Sequence, residues 1–168
     1  MTWTQADIAF ETIQQRHLVA KLMKSVKLFE GLTGDEAVEL LTKAEKSVFT
    51  ADDYIIQEGE RGAFMYLIIA GKVQITKWVN GSYEKPLAEL EAGDSFGEMA
   101  LVDNLERSAS VKALTDCTLL RLSDKAFCQI PAIGAKVYRN IACLLSQRLR
   151  HSNVMISLLM AENDDKSP

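Results

Sequence analysis

What this sequence is short of narrows its chemistry first. Its three cysteines, Cys117, Cys128 and Cys143, stand far apart and form no CxxC pair, so no thiolate metal site or redox dithiol is indicated. They read as buried free thiols. Its two histidines, His17 and His151, both fall in stretches of helical period. Metal enzymes built on β-rolls take histidine and carboxylate ligands from strands, so no metal ligand is assigned and metal catalysis is not expected. The acidic pairs Asp52-Asp53 and Asp164-Asp165 read as solvated charges of a turn and a tail rather than as general acid and base, and no catalytic residue is assigned. A positive surplus is also missing. The 19 Lys and Arg against 23 Asp and Glu give a net charge of −4, whereas nucleic-acid binders draw their affinity from clustered cations, so direct DNA binding is not expected. No apolar run is long enough to span a bilayer. The first residues, MTWTQADIAFETIQQRH, interrupt their apolar positions with Asp7, Glu11 and Gln14-Gln15-Arg16 and contain no signal-peptide core. A cytoplasmic, reducing setting without membrane insertion is the expectation.

What is present is an ordinary globular composition. With 48% apolar and 25% charged residues over 168 positions, the chain has the material for one hydrophobic core. The apolar residues Ile8, Ile13, Val19, Leu22, Met23 and Val26 predict a helix over about Thr4 to Val26. Thr33 with Glu36 three residues on predicts a capping box opening a second short helix through Leu41. These make residues 1–45 an N-terminal helical segment.

From 46 to 123 the pattern changes to short β-type runs: Tyr54–Gln57, Met65–Ile69, Val73–Trp78, Leu87–Leu90, Ser108–Ala113 and Thr118–Leu122. Within the third, Val73 and Ile75 are assigned to one face and Lys72, Gln74 and Thr76 to the other. Asn80-Gly81 predicts a hairpin turn. Helical period returns over 124–160, as a short helix at Asp124–Gln129, a stop at Pro131, and a long helix from about Ile133 to Met160. Its stripe is Val137, Ile141, Leu144, Leu145, Leu149, Ile156 and Leu159, the pattern of a helix that packs against another. Residues 161–168 read as a flexible tail. The fold class expected is mainly β with flanking helices, an antiparallel β-roll of the jelly-roll kind.

The informative stretch is Phe96-Gly97-Glu98-Met99-Ala100-Leu101, followed nine residues after Glu98 by Arg107-Ser108-Ala109. With Gly59-Glu60-Arg61-Gly62, Met65-Tyr66-Leu67-Ile68 and Gly71-Lys72-Val73 ahead of it, the sequence resembles the cyclic nucleotide-binding domain family over roughly Leu28 to Leu159. That family's phosphate-binding cassette has the form FGE-x-A-L, a loop, and R-[STA]-A. The chemistry is sound on its own terms. Glycine at 97 lets the backbone come close to a ligand, and a helical turn starting there aims amide N–H groups at an anion. The planar guanidinium of Arg107 suits the two exocyclic oxygens of a cyclic phosphodiester. Ser108 adds a hydroxyl donor. Glu98 accepts from a ribose hydroxyl, and its charge helps hold Arg107.

The resemblance implies a ligand, cAMP ahead of cGMP, bound by Gly97, Glu98, Met99, Ala100, Arg107, Ser108 and Ala109. It also implies that the long helix closes over the base, with Ser152 and Asn153 in the positions where cAMP receptor proteins place Thr-Ser, one from each subunit of a dimer. Asn153 departs from that pattern, and its amide suits either purine. The expected partners are the nucleotide, a second copy paired through the C-terminal helix, and an effector protein not identified by the sequence. No helix-turn-helix segment follows the long helix before Pro168, a second reason not to expect DNA contact. The alternative is a family member that has lost its ligand and serves as a dimeric protein-interaction module.

Overall fold

A computed structural model describes residues 19, 20, 22–24 and 26–164. The helix expected from Thr4 lies largely outside the described residues. Residues 19–20 and 22–24 are helical, with Val19, Leu22 and Val26 buried. A single 3-10 turn, Lys27–Phe29, leads to α1, Gly34–Thr42. The capping box read from the sequence is present: Glu36 N donates to Thr33 Oγ1 at 3.2 Å and Thr33 N donates to Glu36 Oε2 at 2.8 Å.

Eight strands follow: β1 Glu45–Phe49, β2 Tyr54–Ile56, β3 Phe64–Ala70, β4 Lys72–Val79, β5 Tyr83–Glu91, β6 Ser95–Phe96, β7 Ser110–Ala113 and β8 Cys117–Ser123. They form two four-stranded sheets, ordered β1-β8-β3-β6 and β2-β7-β4-β5, in which every paired neighbour is antiparallel. The expected antiparallel β-roll is thus the observed one. A short helix, α2 (Glu98–Asp103), lies between β6 and β7, and α3 (Asp124–Gln129) and α4 (Pro131–Asp164) follow β8.

β3 explains why its sequence reads as a continuous apolar run rather than an alternation. Met65 and Leu67 join Leu40, Leu122, Phe127, Val137 and Ile141 in a core between roll and helices. Tyr66 and Ile68 join Phe96, Val73, Val111 and Leu119 inside the roll. Both faces of the strand are covered, so neither has polar residues.

Several local expectations are corrected. Thr76, assigned to one face with Lys72 and Gln74, is buried at 4% exposure while Lys72 is exposed, because it pairs with the likewise buried Ser110 of β7, and the extra residue at the β4–β5 irregularity, Leu87, lies in β5. The short helix ends at Gln129 ahead of Pro131 as expected, but the long helix opens at Pro131 itself and not at Ile133, since a residue without an N–H loses no helical bond there. Of the three thiols only Cys117 is buried; Cys128 and Cys143 are free but exposed, on outward faces of α3 and α4. The apolar stripe of α4 divides. Val137 and Ile141 are fully buried and Leu145 packs partly on the core, whereas Leu149 is 63% and Ile156 54% exposed. The helix therefore leaves the body of the domain near Leu149. Asn140 anchors its buried half, donating from Nδ2 to the Leu28 carbonyl at 2.9 Å and the Glu30 carbonyl at 2.8 Å.

Candidate functional site

The cassette residues form a loop closed at both ends. At Gly97 the backbone adopts φ +82°, a left-handed conformation that turns the chain from β6 into α2. A Cβ at Gly97 would stand 2.8 Å from Arg107 Nη1 and 3.2 Å from Ile56 Cδ1, so glycine is also what lets the guanidinium approach. Asn104, at φ 55°, ends the helix. The backbone of Arg107 is pinned to the turn ahead of β3: its N–H donates to the Glu60 carbonyl at 2.8 Å, and its carbonyl accepts from Gly59 N at 2.9 Å. Ser108 and Ala109, expected to begin a strand, lie in a bend before β7, which frees their polar groups from the ladder.

Arg107 is 5% exposed. Its Nη1 donates to the Gly97 carbonyl at 2.8 Å and its Nη2 to the Phe64 carbonyl at 2.9 Å. The guanidinium carbon lies 4.3 Å from the centroid of the Phe64 ring. Burial lowers its pKa from the ordinary arginine value, with the nearby Tyr66 and Glu60 opposing the shift. It remains a cation at neutral pH. Ser108 Oγ has only the weak acceptor Met99 Sδ at 3.5 Å, leaving the hydroxyl available to a better one.

Glu98 is buried beside it, and its partner differs from the sequence expectation. Oε1 accepts from Arg148 Nη1 of α4 rather than from Arg107, and Arg148 Nη2 also donates to the Ser95 carbonyl at 2.7 Å. Oε2 is buried without a hydrogen-bond partner. A buried carboxylate oxygen left in that state is costly and is ready to accept from a hydroxyl.

These groups line one cavity of about 770 Å³, within the range of small-molecule sites. The cassette contributes Gly97, Glu98, Met99, Ala100, Arg107, Ser108 and Ala109. Ile56, Ile75, Leu87, Leu90, Phe96 and Val111 make apolar walls, and Leu144, Gln147, Arg148, His151 and Ser152 come from α4. Ser152 thus lines the cavity; Asn153 does not and is exposed on the same helix.

Sequence reading missed four charged lining residues: the cations Arg148, Lys77 and Lys27 and the acid Asp94. Lys77 Nζ donates to the Ser108 carbonyl at 2.7 Å and to Glu58 Oε1 at 2.8 Å, and this lysine contact is the largest cause holding the Glu58 carboxyl below the usual range. Lys27 Nζ donates to Gln147 Oε1 at 3.1 Å, tying the 3-10 turn to α4. Only Arg148 carried a signal, a cation on the stripe side of a helix four residues after Leu144.

A buried guanidinium, a glycine-lined approach, an available hydroxyl and a carboxylate with one partnerless oxygen lie together beside apolar walls, chemistry that suits an anion carrying hydroxyl groups and an apolar part. Residues 46–132 match the family described as "Cyclic nucleotide-binding domain", and the chain belongs to it. It is 35% identical over 140 residues to the "Cyclic AMP receptor protein" of Thermus thermophilus, covering 83% of this chain and 65% of that one. Among solved structures it is similar to the catabolite activator protein of T. thermophilus, with TM-score 0.74 and 34% identity over 80% of this chain and 63% of that one. It is also similar to the regulatory domain of Toxoplasma gondii PKA crystallised with cAMP, with TM-score 0.64 and 26% identity over 70% of this chain and 44% of that one. The chain thus spans somewhat less than two thirds of the receptor protein's length. Among the described residues no helix is long and apolar enough to cross a membrane, and no cluster of three or more His, Cys, Asp or Glu is placed to hold a metal ion.

Proposed function

We propose that this chain binds a cyclic nucleotide monophosphate reversibly, cAMP in preference to cGMP, and catalyses nothing itself. The observation that carries the reading is a pair of cavity-lining residues with hydrogen-bonding capacity to spare: Glu98, whose Oε2 is buried without a partner, and Ser108, whose hydroxyl has only a weak acceptor and follows the buried Arg107. A cyclic phosphate on Arg107, Ser108 and the amides around Gly97, with a ribose hydroxyl on Glu98, satisfies both. Met99, Ala100 and Ala109 pack beside the ligand, and Ser152 reaches the base. The similarity to a cAMP receptor protein and to a domain crystallised with cAMP supports that nucleotide.

The output follows from α4. Arg148 joins it to Glu98, so a ligand hydroxyl arriving at Glu98 alters the contact that holds the helix. Beyond Leu149 the exposed Val154, Met155, Ile156 and Leu158 suit pairing with the same helix of a second copy, which would also give Asn153 a role across the interface. In this reading the domain acts in the cytoplasm as a homodimer, through an effector protein and not by touching DNA.

Thermal unfolding with saturating cAMP, cGMP and non-cyclic AMP tests the reading. Ligand at 100 times its Kd adds about 2.7 kcal/mol, a rise of roughly 5–11 °C for a domain of this size. A rise with cAMP exceeding that with cGMP, and none with AMP, is expected. No rise with either cyclic nucleotide would overturn it. Sedimentation showing a monomer with and without ligand would remove the dimer.

A further inference from the structure

Arg107 is not the only guanidinium on the ring of Phe64. The guanidinium carbon of Arg121, on β8, lies 4.1 Å from the same centroid, against 4.3 Å for Arg107. Arg121 in turn donates from Nη1 to Glu45 Oε2 of β1 at 2.8 Å. The ring is confined on other sides. Tyr66 meets it edge-on at 5.5 Å, and at Gly62 a Cβ would come within 2.4 Å of Phe64 Cε1. No positive φ requires glycine at 62, so its missing side chain serves the ring rather than the backbone. Phe64 also supplies the carbonyl that Arg107 Nη2 bonds, so one residue holds the guanidinium by an edge and by a face. Hydrogen bonds to carbonyls fix the plane of a guanidinium's nitrogens, while a π face beneath it opposes tilting.

We propose that Phe64, wedged by Gly62, Tyr66 and the Glu45–Arg121 pair, is the positioning residue for Arg107, and that it sets the affinity of the site for an anionic ligand without touching that ligand. The part concerning affinity rests on the cyclic-nucleotide reading above. Arg121 acts in two ways. It holds the ring in place, and it adds positive potential near the site, so its removal weakens anion binding, and more so at low salt.

The test is calorimetric titration of cAMP into the wild type, Phe64→Leu, Phe64→Tyr, Gly62→Ala and Arg121→Met, with two-dimensional NMR of the Arg107 Nε–Hε signal in the ligand-free proteins. Phe64→Leu keeps the carbonyl and an apolar, if smaller, side chain and removes the π face. It is expected to raise Kd about tenfold and to move the Arg107 signal out of its ring-shielded position, and Phe64→Tyr is expected to restore both. Gly62→Ala, which changes neither Arg107 nor the cavity lining, is expected to move the same signal and raise Kd several-fold with the fold intact. Arg121→Met is expected to raise Kd by about threefold at low salt and less at high salt. Unchanged Arg107 signals in Phe64→Leu and Gly62→Ala would overturn the proposal. If the wild type binds neither cAMP nor cGMP, the functional reading falls, and the ligand-free NMR comparison alone decides whether Phe64 positions Arg107.

Discussion

Arg148 and Glu98 join the long helix to the cassette through an ion pair in which the carboxylate is buried and the guanidinium one-third exposed, with side-chain exposures of 4% and 34%. The asymmetry decides what mutation does. Removing the arginine strands a buried charge whose second oxygen already lacks a partner, whereas removing the charge of Glu98 leaves an arginine that water can solvate. Arg148→Met is expected to cost about 1–3 kcal/mol, toward the lower end because the cavity admits water. Glu98→Gln should cost less, and the double variant should recover most of the loss. Urea unfolding of the four proteins checks this; additive losses would mean that the pair is not coupled.

Gly97→Ala combines two penalties. A side chain at φ +82° is strained by about 1–2 kcal/mol, and its Cβ would collide with Arg107 Nη1 and Ile56 Cδ1. Lower stability and displacement of the guanidinium are therefore expected together. Unfolding and cAMP titration of the same preparation separate them. A variant destabilised by that amount that still binds as tightly as wild type would show that Arg107 need not sit where it does.

Much of this was legible in the sequence, and the failures have physical causes. The cassette was legible because FGEMAL and RSA together resemble a family's form, and its glycine is in addition a local requirement of the left-handed turn. The second helix could be read because Thr33 and Glu36 satisfy each other within one turn. β1 was missed because it is a polar edge strand, EKSVF, with Val48 66% exposed, and β6 because two residues carry no period. Thr76 is buried in a pair with Ser110 of β7, 34 residues away, so no pattern within β4 alone could reveal it. The partners of Glu98 and Phe64 were invisible for the same reason. Arg148 lies 50 residues from Glu98, and Arg121 reaches the ring of Phe64 only once β8 pairs with β3.

Asn140 offers a stability test away from the cavity. Its amide satisfies the carbonyls of Leu28 and Glu30, and the residue itself is 6% exposed, so truncation leaves two acceptors to find water at a packed junction. Asn140→Ala is expected to cost about 1–3 kcal/mol. It should also raise hydrogen exchange in residues 27–32 ahead of the β-roll. Uniform exchange across the chain would indicate global destabilisation without local release of the N-terminal segment.

Stability should fall in acid through identifiable pairs. Lys136 bonds hold the Glu36 carboxyl below its ordinary 4.5, Lys77 does the same for Glu58, and Lys112 holds Asp52 below its ordinary 3.8. For a depressed carboxyl the stabilisation is complete above the unfolded pKa. As pH drops through that value, the unfolded chain takes up a proton that the folded chain still refuses. Stability is then lost until the folded pKa is passed. The thermal midpoint is therefore expected to hold near neutrality and to decline below about pH 4.5, and to do so less steeply in Glu58→Gln, whose side chain has no proton to take up. Because Glu58 and Ser108 share the Lys77 ammonium, the same substitution should loosen the cassette at neutral pH. A wild-type midpoint that rises on acidification, or a Glu58→Gln profile parallel to wild type, would show that the Lys77 contact does not hold the carboxylate in the folded protein.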